Sequence, residues 1–347
     1  MTNGKTIFII GIIKYNLKCL YMSLNKNKRR NPRFIGNLGQ TGSSLSLNSN
    51  KPIFKPSKPS KPSKPSKPQP SQISTPVQSV PQDKTKRALL IGINYLKTPS
   101  SRLNGCINDV KSIRELLISK FGYKSENIVF MSDDQTGAME PTKQNILNQI
   151  NKLVSLTKSG DTVFLHYSGH GSHVKDTNGD EKNNQDNIGR DDCICPCDYD
   201  KYPGEAGFII DDTLKELLVN KIPIGAKLRA FFDCCHSGSI LDLEYLWKKD
   251  NEYHISGAPE RQSDDIVMIS GCRDNQTSAD SWNAQKMQAM GALTMMLIKV
   301  LTNTPQIKTT WKDLVLLVRH YLVSGGYDQI PMLSVANKSS GDIVVDL

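Results

Sequence analysis

A histidine and a cysteine, each set just beyond a short apolar run and beside a sharp turn, are the residues of this sequence best suited to do chemistry. His170 lies in His166-Tyr167-Ser168-Gly169-His170-Gly171, after the run Thr162 to Leu165; Cys235 lies in Asp233-Cys234-Cys235-His236-Ser237-Gly238, after Lys227 to Phe232. Runs of this kind predict strands, and the glycines beyond them let the backbone turn. Both side chains are therefore expected where parallel strands end, the usual place for an open α/β sheet to hold its chemistry. A thiol reacts as its thiolate, and a neighbouring imidazole supplies both the base that takes the proton and the cation that stabilises the anion. A lone cysteine or histidine is more often packing than chemistry. Two such motifs in one chain read as a cysteine-protease dyad.

The elements that must position this pair begin near Arg87, where apolar runs start to alternate with amphipathic stretches. Ala88 to Ile93 predicts a first strand, the stripe Val110, Ile113, Leu116 and Leu117 a helix, Ile128 to Met131 a second strand, and Ile146, Ile150, Leu153 and Val154 a helix with Pro141 near its start. The two dyad strands follow, separated by a polar stretch, Ser172 to Asp192, that reads as a loop, and by a short helix, Asp211 to Val219. Ile266 to Ser270 reads as a fifth strand, Ala292 to Leu301 and Trp311 to Leu322 as helices, and Ile330 to Val335 as a closing strand. Strands alternating with helices imply an α/β domain with a mostly parallel central sheet flanked by helices. The expected organisation is a larger half, 86–246, an exposed connection, 247–265, and a smaller half, 266–347; the connection is charged, lacks periodicity and is a natural place for proteolytic nicking.

Residues 1–85 are different in kind. They are polar, rich in Asn, Ser and Pro, and carry a Lys-Pro-Ser repeat from Lys55 to Lys67, which predicts a disordered, semi-rigid spacer with no core of its own and a conceivable docking segment for a partner. The chain's net charge of +10 is concentrated there: residues 1–87 hold 17 Lys and Arg against the single acid Asp83, a net of +16, so the remainder carries 10 − 16 = −6. A folded part that is mildly acidic gives no reason to expect nucleic acid as a partner. The apolar run 7–13 is too short to span a bilayer and is not followed by a convincing cleavage site, so neither a membrane nor secretion is expected and the cytoplasm is the default. The eight cysteines are scattered, and the adjacent pair Cys234 and Cys235 would strain to bridge, which fits a reducing compartment. Cys193, Cys195 and Cys197 alternate without a spaced Cys-x-x-Cys or His pair, so a structural role is favoured over a metal site.

Six separated segments resemble the metacaspases, of the type with a proline-rich N-terminal extension and a short spacer between two halves. They are Ala88 to Tyr95, Leu103 to Asp109 with Cys106, Tyr167 to Ser172, Ile210-Asp211-Asp212, Asp233 to Leu243, and Ser270 to Asp280, and they fall in order across nearly the whole domain. The resemblance implies a caspase-like fold, a cysteine endopeptidase activity, His170 as general base and Cys235 as nucleophile. Chemistry alone does not choose between the adjacent cysteines; the family motif places the nucleophile directly before His236. The amides of Gly171 and Cys235 are then the candidates for stabilising the oxyanion.

The resemblance also maps a substrate pocket onto Cys106, Asp109, Ser168 and Asp233. Two carboxylates in a cleft attract a cation, so the residue before the cut is expected to be Arg or Lys; the rival for Asp109 is a carboxylate favoured in the first turn of a helix. Asp191, Asp211, Asp212 and Asp242 match the family's calcium site, with Ca²⁺ as activator rather than catalyst. Lys248, Lys249 and Arg261 in the connection are the candidate sites of self-cleavage. The expected partners are protein or peptide substrates with Arg or Lys before the cut, and the chain is expected to act as a monomer. The rival from another class is a catalytically idle scaffold whose tail binds a partner.

Overall fold

Apolar side chains point from both sides of the strands that lead to the dyad, so these strands need cover on both faces. The computed structural model describes residues 84–177, 179, 189–235, 237–248, 252–256, 263–271, 280–283, 288–303 and 309–347, all within the unit Pro76–Leu347. The expected disordered tail up to residue 83, the run 7–13, Lys249 and Arg261 lie outside the described residues. In chain order the described strands are β1 (Lys86–Gly92), β2 (Ile128–Ser132), β3 (Thr162–Ser168), β4 (Gly171–Lys175), β5 (Arg190–Ile194), β6 (Ile209–Ile210) and β7 (Lys227–Asp233). After these come β8 (Tyr245–Trp247), β9 (Tyr253–Ile255), β10 (Ile266–Ser270), β11 (Asp280–Asn283), β12 (Gln288–Gly291) and β13 (Met332–Val335). The α-helices are α1 (Cys106–Phe121), α2 (Lys143–Ser155), α3 (Asp211–Leu217), α4 (Ala292–Asn303) and α5 (Trp311–Ser324).

Eight strands form one sheet in the order β2-β1-β3-β7-β10-β13-β8-β9. The first five are parallel, and β13, β8 and β9 each run antiparallel to the strand before. Leu89, Ile91, Val163, Leu165, Leu228 and Phe232 face one core with α2 and α3; Ala88, Leu90, Phe164, Phe231 and Val267 face another with α1, α4 and α5. Each such side chain contributes about 1.5–3 kcal/mol when fully buried. Helix starts are fixed locally: Thr142 Oγ1 accepts from Asn145 N–H, and Thr310 and Asp313 form a reciprocal capping box at α5. Arg229 in β7 is fully buried, donates to Asp346 and Asp265, and lies over the Trp311 ring, so the strand leading to Cys235 is anchored at its start. A buried cation is tolerated there because carboxylates and carbonyls satisfy its donors.

Two stretches differ from the sequence reading. The polar segment after His170 is not all loop: β4 and β5 pair antiparallel and, with β6, make a separate three-stranded sheet. The connection begins with a hairpin, β8 pairing with both β9 and β13. Strands of three residues are too short to show a period, and β13 lies some eighty residues downstream, so the sequence carries no local sign of either pairing. A third element, the β11–β12 hairpin that leads into α4, is also absent from the sequence reading.

Candidate active site

Strands β3 and β7 are neighbours, and their register sets Ser168 opposite Asp233 at their C-terminal ends. His170 and Cys235 each follow two residues later, so one backbone alignment places both members of the dyad at the same edge. Two tyrosines hold the histidine. Tyr95 Oη accepts from His170 N–H at 2.8 Å and donates to the Cys195 carbonyl at 2.7 Å, while Tyr167 Oη donates to the His170 carbonyl at 2.7 Å. Burial pushes both phenols well above the usual tyrosine range, so they stay neutral hydrogen-bonding groups. The Tyr95 and His170 rings lie 4.6 Å apart. Tyr95 has a left-handed backbone, φ 55°, which a bulky residue adopts only when its surroundings enforce it. Asp133 supplies that enforcement, its two carboxylate oxygens accepting from the amides on either side, Asn94 and Leu96.

The imidazole Nε2 is 2.8 Å from the Ser101 carbonyl oxygen. A carbonyl only accepts, so in the neutral ring Nε2 carries the proton and Nδ1 is the basic nitrogen. Ser101 was missed from the sequence because a main-chain acceptor leaves no mark in side-chain identity.

Burial separates the adjacent cysteines. Cys234 is wholly buried in the apolar core, whereas Cys235 is partly exposed. Gly171 is packed directly on Cys235: a Cβ there would strike the Cys235 carbonyl oxygen and come within 3.3 Å of Cys234 Sγ. Only glycine permits this approach, which brings together the two segments bearing the candidate oxyanion amides. Cys193, Cys195 and Cys197 are buried free thiols, and only Cys193 falls within a strand. A hydrogen bond with Cys193, then burial, holds the Cys195 thiol well above the usual range, and burial pushes Cys197 up to about 12. Neither is a thiolate at neutral pH.

Of the four expected pocket residues, Asp109, Ser168 and Asp233 meet at the C-terminal ends of β3 and β7, two residues before His170 and Cys235. Ser168 Oγ donates to Asp109 Oδ2 at 2.7 Å, and Asp233 lies across the strand register from Ser168. Cys106 opens α1, the helix that carries Asp109 in its first turn. Asn94 Oδ1 accepts from Cys106 N–H and Ile107 N–H, standing in for the side-chain cap that Gly105 lacks. Asp109 is thus a first-turn helix carboxylate that also accepts from Ser168 on the neighbouring strand.

Comparison with known proteins gives the family. Residues 86–244 match the family model of the metacaspase, peptidase C14 domain. Metacaspase-1 of Schizosaccharomyces pombe is 35% identical over 301 residues, covering 73% of this chain and 67% of that one. Metacaspase-1 of Eremothecium gossypii is 34% identical, covering 73% and 64%, and that of Mycosarcoma maydis 36% identical, covering 75% and 72%. The chain belongs to the metacaspase family. It spans roughly two thirds of the length of these relatives. A crystal structure of a Geobacter sulfurreducens protein shares the fold, with a TM-score of 0.52 at 23% identity over 73% of this chain and 94% of that one. A metacaspase is a cysteine peptidase, and the caspase-like fold accounts for the large, mostly parallel sheet.

The aspartates expected to bind calcium in this metacaspase sit on three segments that meet around a fifth, Asp192. Asp191 lies in β5, Asp211 and Asp212 open α3 directly after β6, and Asp242 ends the turn that follows Cys235. Asp192 N–H donates to Asp211 Oδ2 at 2.6 Å; its own carboxylate accepts from Ser239 N–H and Oγ and pairs with His173 at 3.0 Å. Sequence reasoning passed over Asp192 because its neighbour Asp191 filled the motif. Among the described residues no three His, Cys, Asp or Glu side chains are gathered as a metal cage.

Of the self-cleavage candidates, only Lys248 is described. Its N–H donates to the Glu252 carbonyl across the β8–β9 turn, and its carbonyl accepts from Arg319 at 3.3 Å. No helix among the described residues is long and apolar enough to cross a membrane.

Proposed function

We propose that this metacaspase is a calcium-dependent endopeptidase that cuts after Arg or Lys and processes itself. The observation that carries the basic specificity is the meeting of Asp109, Ser168 and Asp233 beside the dyad. Carboxylates brought together there favour a substrate cation, and a guanidinium satisfies two of them through parallel hydrogen bonds. In the reaction, His170 Nδ1 takes the Cys235 proton as the thiolate adds to the carbonyl carbon before the scissile bond. The amides of Gly171 and Cys235 receive the oxyanion. As the tetrahedral species collapses, the imidazolium gives its proton to the departing amine, leaving a thioester on Cys235. The same nitrogen then deprotonates the water that hydrolyses the thioester.

Asp191, Asp211, Asp212 and Asp242 would hold calcium, whose positive charge offsets their mutual repulsion. Ser239 and Asp192 connect these segments to the turn after Cys235, which supports an effect on activity. Self-processing after Lys248 requires the hairpin to open and Arg319 to release the carbonyl. Cysteines that form no disulfide among the described residues support a reducing, cytoplasmic setting. The Lys-Pro-Ser tract is offered as a partner-docking segment.

Peptide cleavage measured with calcium and with excess chelator, alongside calorimetric titration of calcium into the wild type and into Asp211→Ala/Asp212→Ala, tests this reading. Calcium binding and calcium-dependent cleavage are expected in the wild type, and loss of both in the variant. Full cleavage in chelator, or unchanged calcium dependence in the variant, refutes it.

A further inference from the structure

Asp109 and Asp233 are almost wholly buried, 0% and 4% exposed. Carboxylates remain charged in such a place only if donors surround them. Backbone amides from one short stretch supply part of that need. Gly291 N–H lies 2.9 and 3.0 Å from the two Asp109 oxygens, and Thr294 N–H lies 2.8 Å from Asp233 Oδ2. Gly291 immediately precedes α4 and Thr294 is its third residue, so both amides belong to the open end of a helix. Such N–H groups have no partner inside the helix and favour negative charge beside them. Gly291 has no side chain with which to cap that end. A Cβ at this position would strike Asp233 Oδ2 and come within 2.9 Å of Asp109 Oδ2, so both carboxylates turn into the space one missing side chain leaves.

We propose that Gly291 is a specificity-determining positioning residue of the basic pocket. Its N–H fixes the Asp109 carboxylate, and its lack of a side chain lets Asp233 lie alongside, so the pair is preorganised for one substrate cation. This rests on the reading of the pocket as selective for Arg or Lys and adds the residue that builds it.

The test uses the full chain and two matched peptides, one with Arg before the cut and one with citrulline, its uncharged isostere. Inactivation by iodoacetamide reports the dyad separately. Gly291→Ala is expected to raise KM for the Arg peptide by at least about tenfold and to lower kcat by less than about threefold, the signature of lost binding rather than lost chemistry. The alkylation rate should stay within about twofold of wild type. Thr294→Pro deletes the amide on Asp233 in the first helical turn, where proline is tolerated, and should give the same split even if Gly291→Ala does not fold. A wild-type KM in either folded variant, or a joint fall of kcat and alkylation rate at unchanged KM, overturns the proposal. A wild-type enzyme that does not favour Arg over citrulline removes the basic-pocket reading itself, and the proposal with it.

Discussion

Removing a single oxygen from Tyr95 should cost this enzyme more in turnover than in stability. In Tyr95→Phe the His170 amide loses its acceptor at 2.8 Å and the Cys195 carbonyl loses its donor at 2.7 Å, while the Tyr167 hydroxyl proton stays on the His170 carbonyl. A buried donor left without a partner costs about 1–3 kcal/mol. At roughly 2–4 °C per kcal/mol for a domain of this size, the melting temperature falls by about 2–12 °C. The freed amide lets the His170 turn drift, and a misplacement of about 1 Å between reacting groups costs on the order of a hundredfold. We therefore expect kcat to fall about 10- to 100-fold, with KM within about twofold because Asp109, Ser168 and Asp233 are bonded through other donors. Steady-state peptide hydrolysis well below the variant's melting temperature, with thermal unfolding in parallel, measures both. A variant that melts lower yet turns over at the wild-type rate refutes the reasoning, because the hydroxyl would then serve the fold alone.

Cys235→Ala should abolish peptide hydrolysis while Cys234→Ala retains most of it, and equal loss in both would contradict the assignment of the exposed thiol as nucleophile. Asp233→Asn keeps an acceptor for Thr294 N–H but not the charge, so its melting temperature should stay near wild type while kcat/KM on Arg peptides drops at least about tenfold; Asp233→Ala should also lose about 1 kcal/mol of helix capping in a denaturant titration. His166 is wholly buried, its Nε2 has no partner among the described residues, and burial drives its pKa down to about 4, with the Phe231 carbonyl only partly offsetting this. Because the folded value lies below the ordinary 6.5, its contribution to stability is whole above pH 6.5 and is lost as pH falls to about 4, amounting to about 3 kcal/mol. Denaturant midpoints across that window should fall less steeply in His166→Gln than in wild type; identical slopes would show that His166 is not the group titrating.

The parallel strands and flanking helices were legible because buried parallel strands are continuous apolar runs and the helices between them carry clear stripes. The placement of His170 and Cys235 at one sheet edge was legible because each follows such a run. What the sequence hid is held by backbone or by distance. Ser101 acts through its carbonyl, and Gly291 through its amide and an absence. Tyr95 and Tyr167 look like core aromatics, and only the fold shows their hydroxyls meeting the His170 main chain. The short strands β8 and β9 owe their existence to β13, far along the chain, so the connection read as unstructured. Asp192 was hidden by its own neighbour: of two adjacent aspartates, the one turned toward Ser239 and His173 is a matter of strand parity, which a motif does not state.

The most direct test of the account is to incubate wild type and Cys235→Ala with a complex peptide mixture in the presence of calcium and to map every new terminus by mass spectrometry. The account predicts cuts after Arg and Lys alone in the wild type and none in Cys235→Ala. Cuts after acidic or uncharged residues at comparable rates, or the same cuts in both proteins, would contradict it.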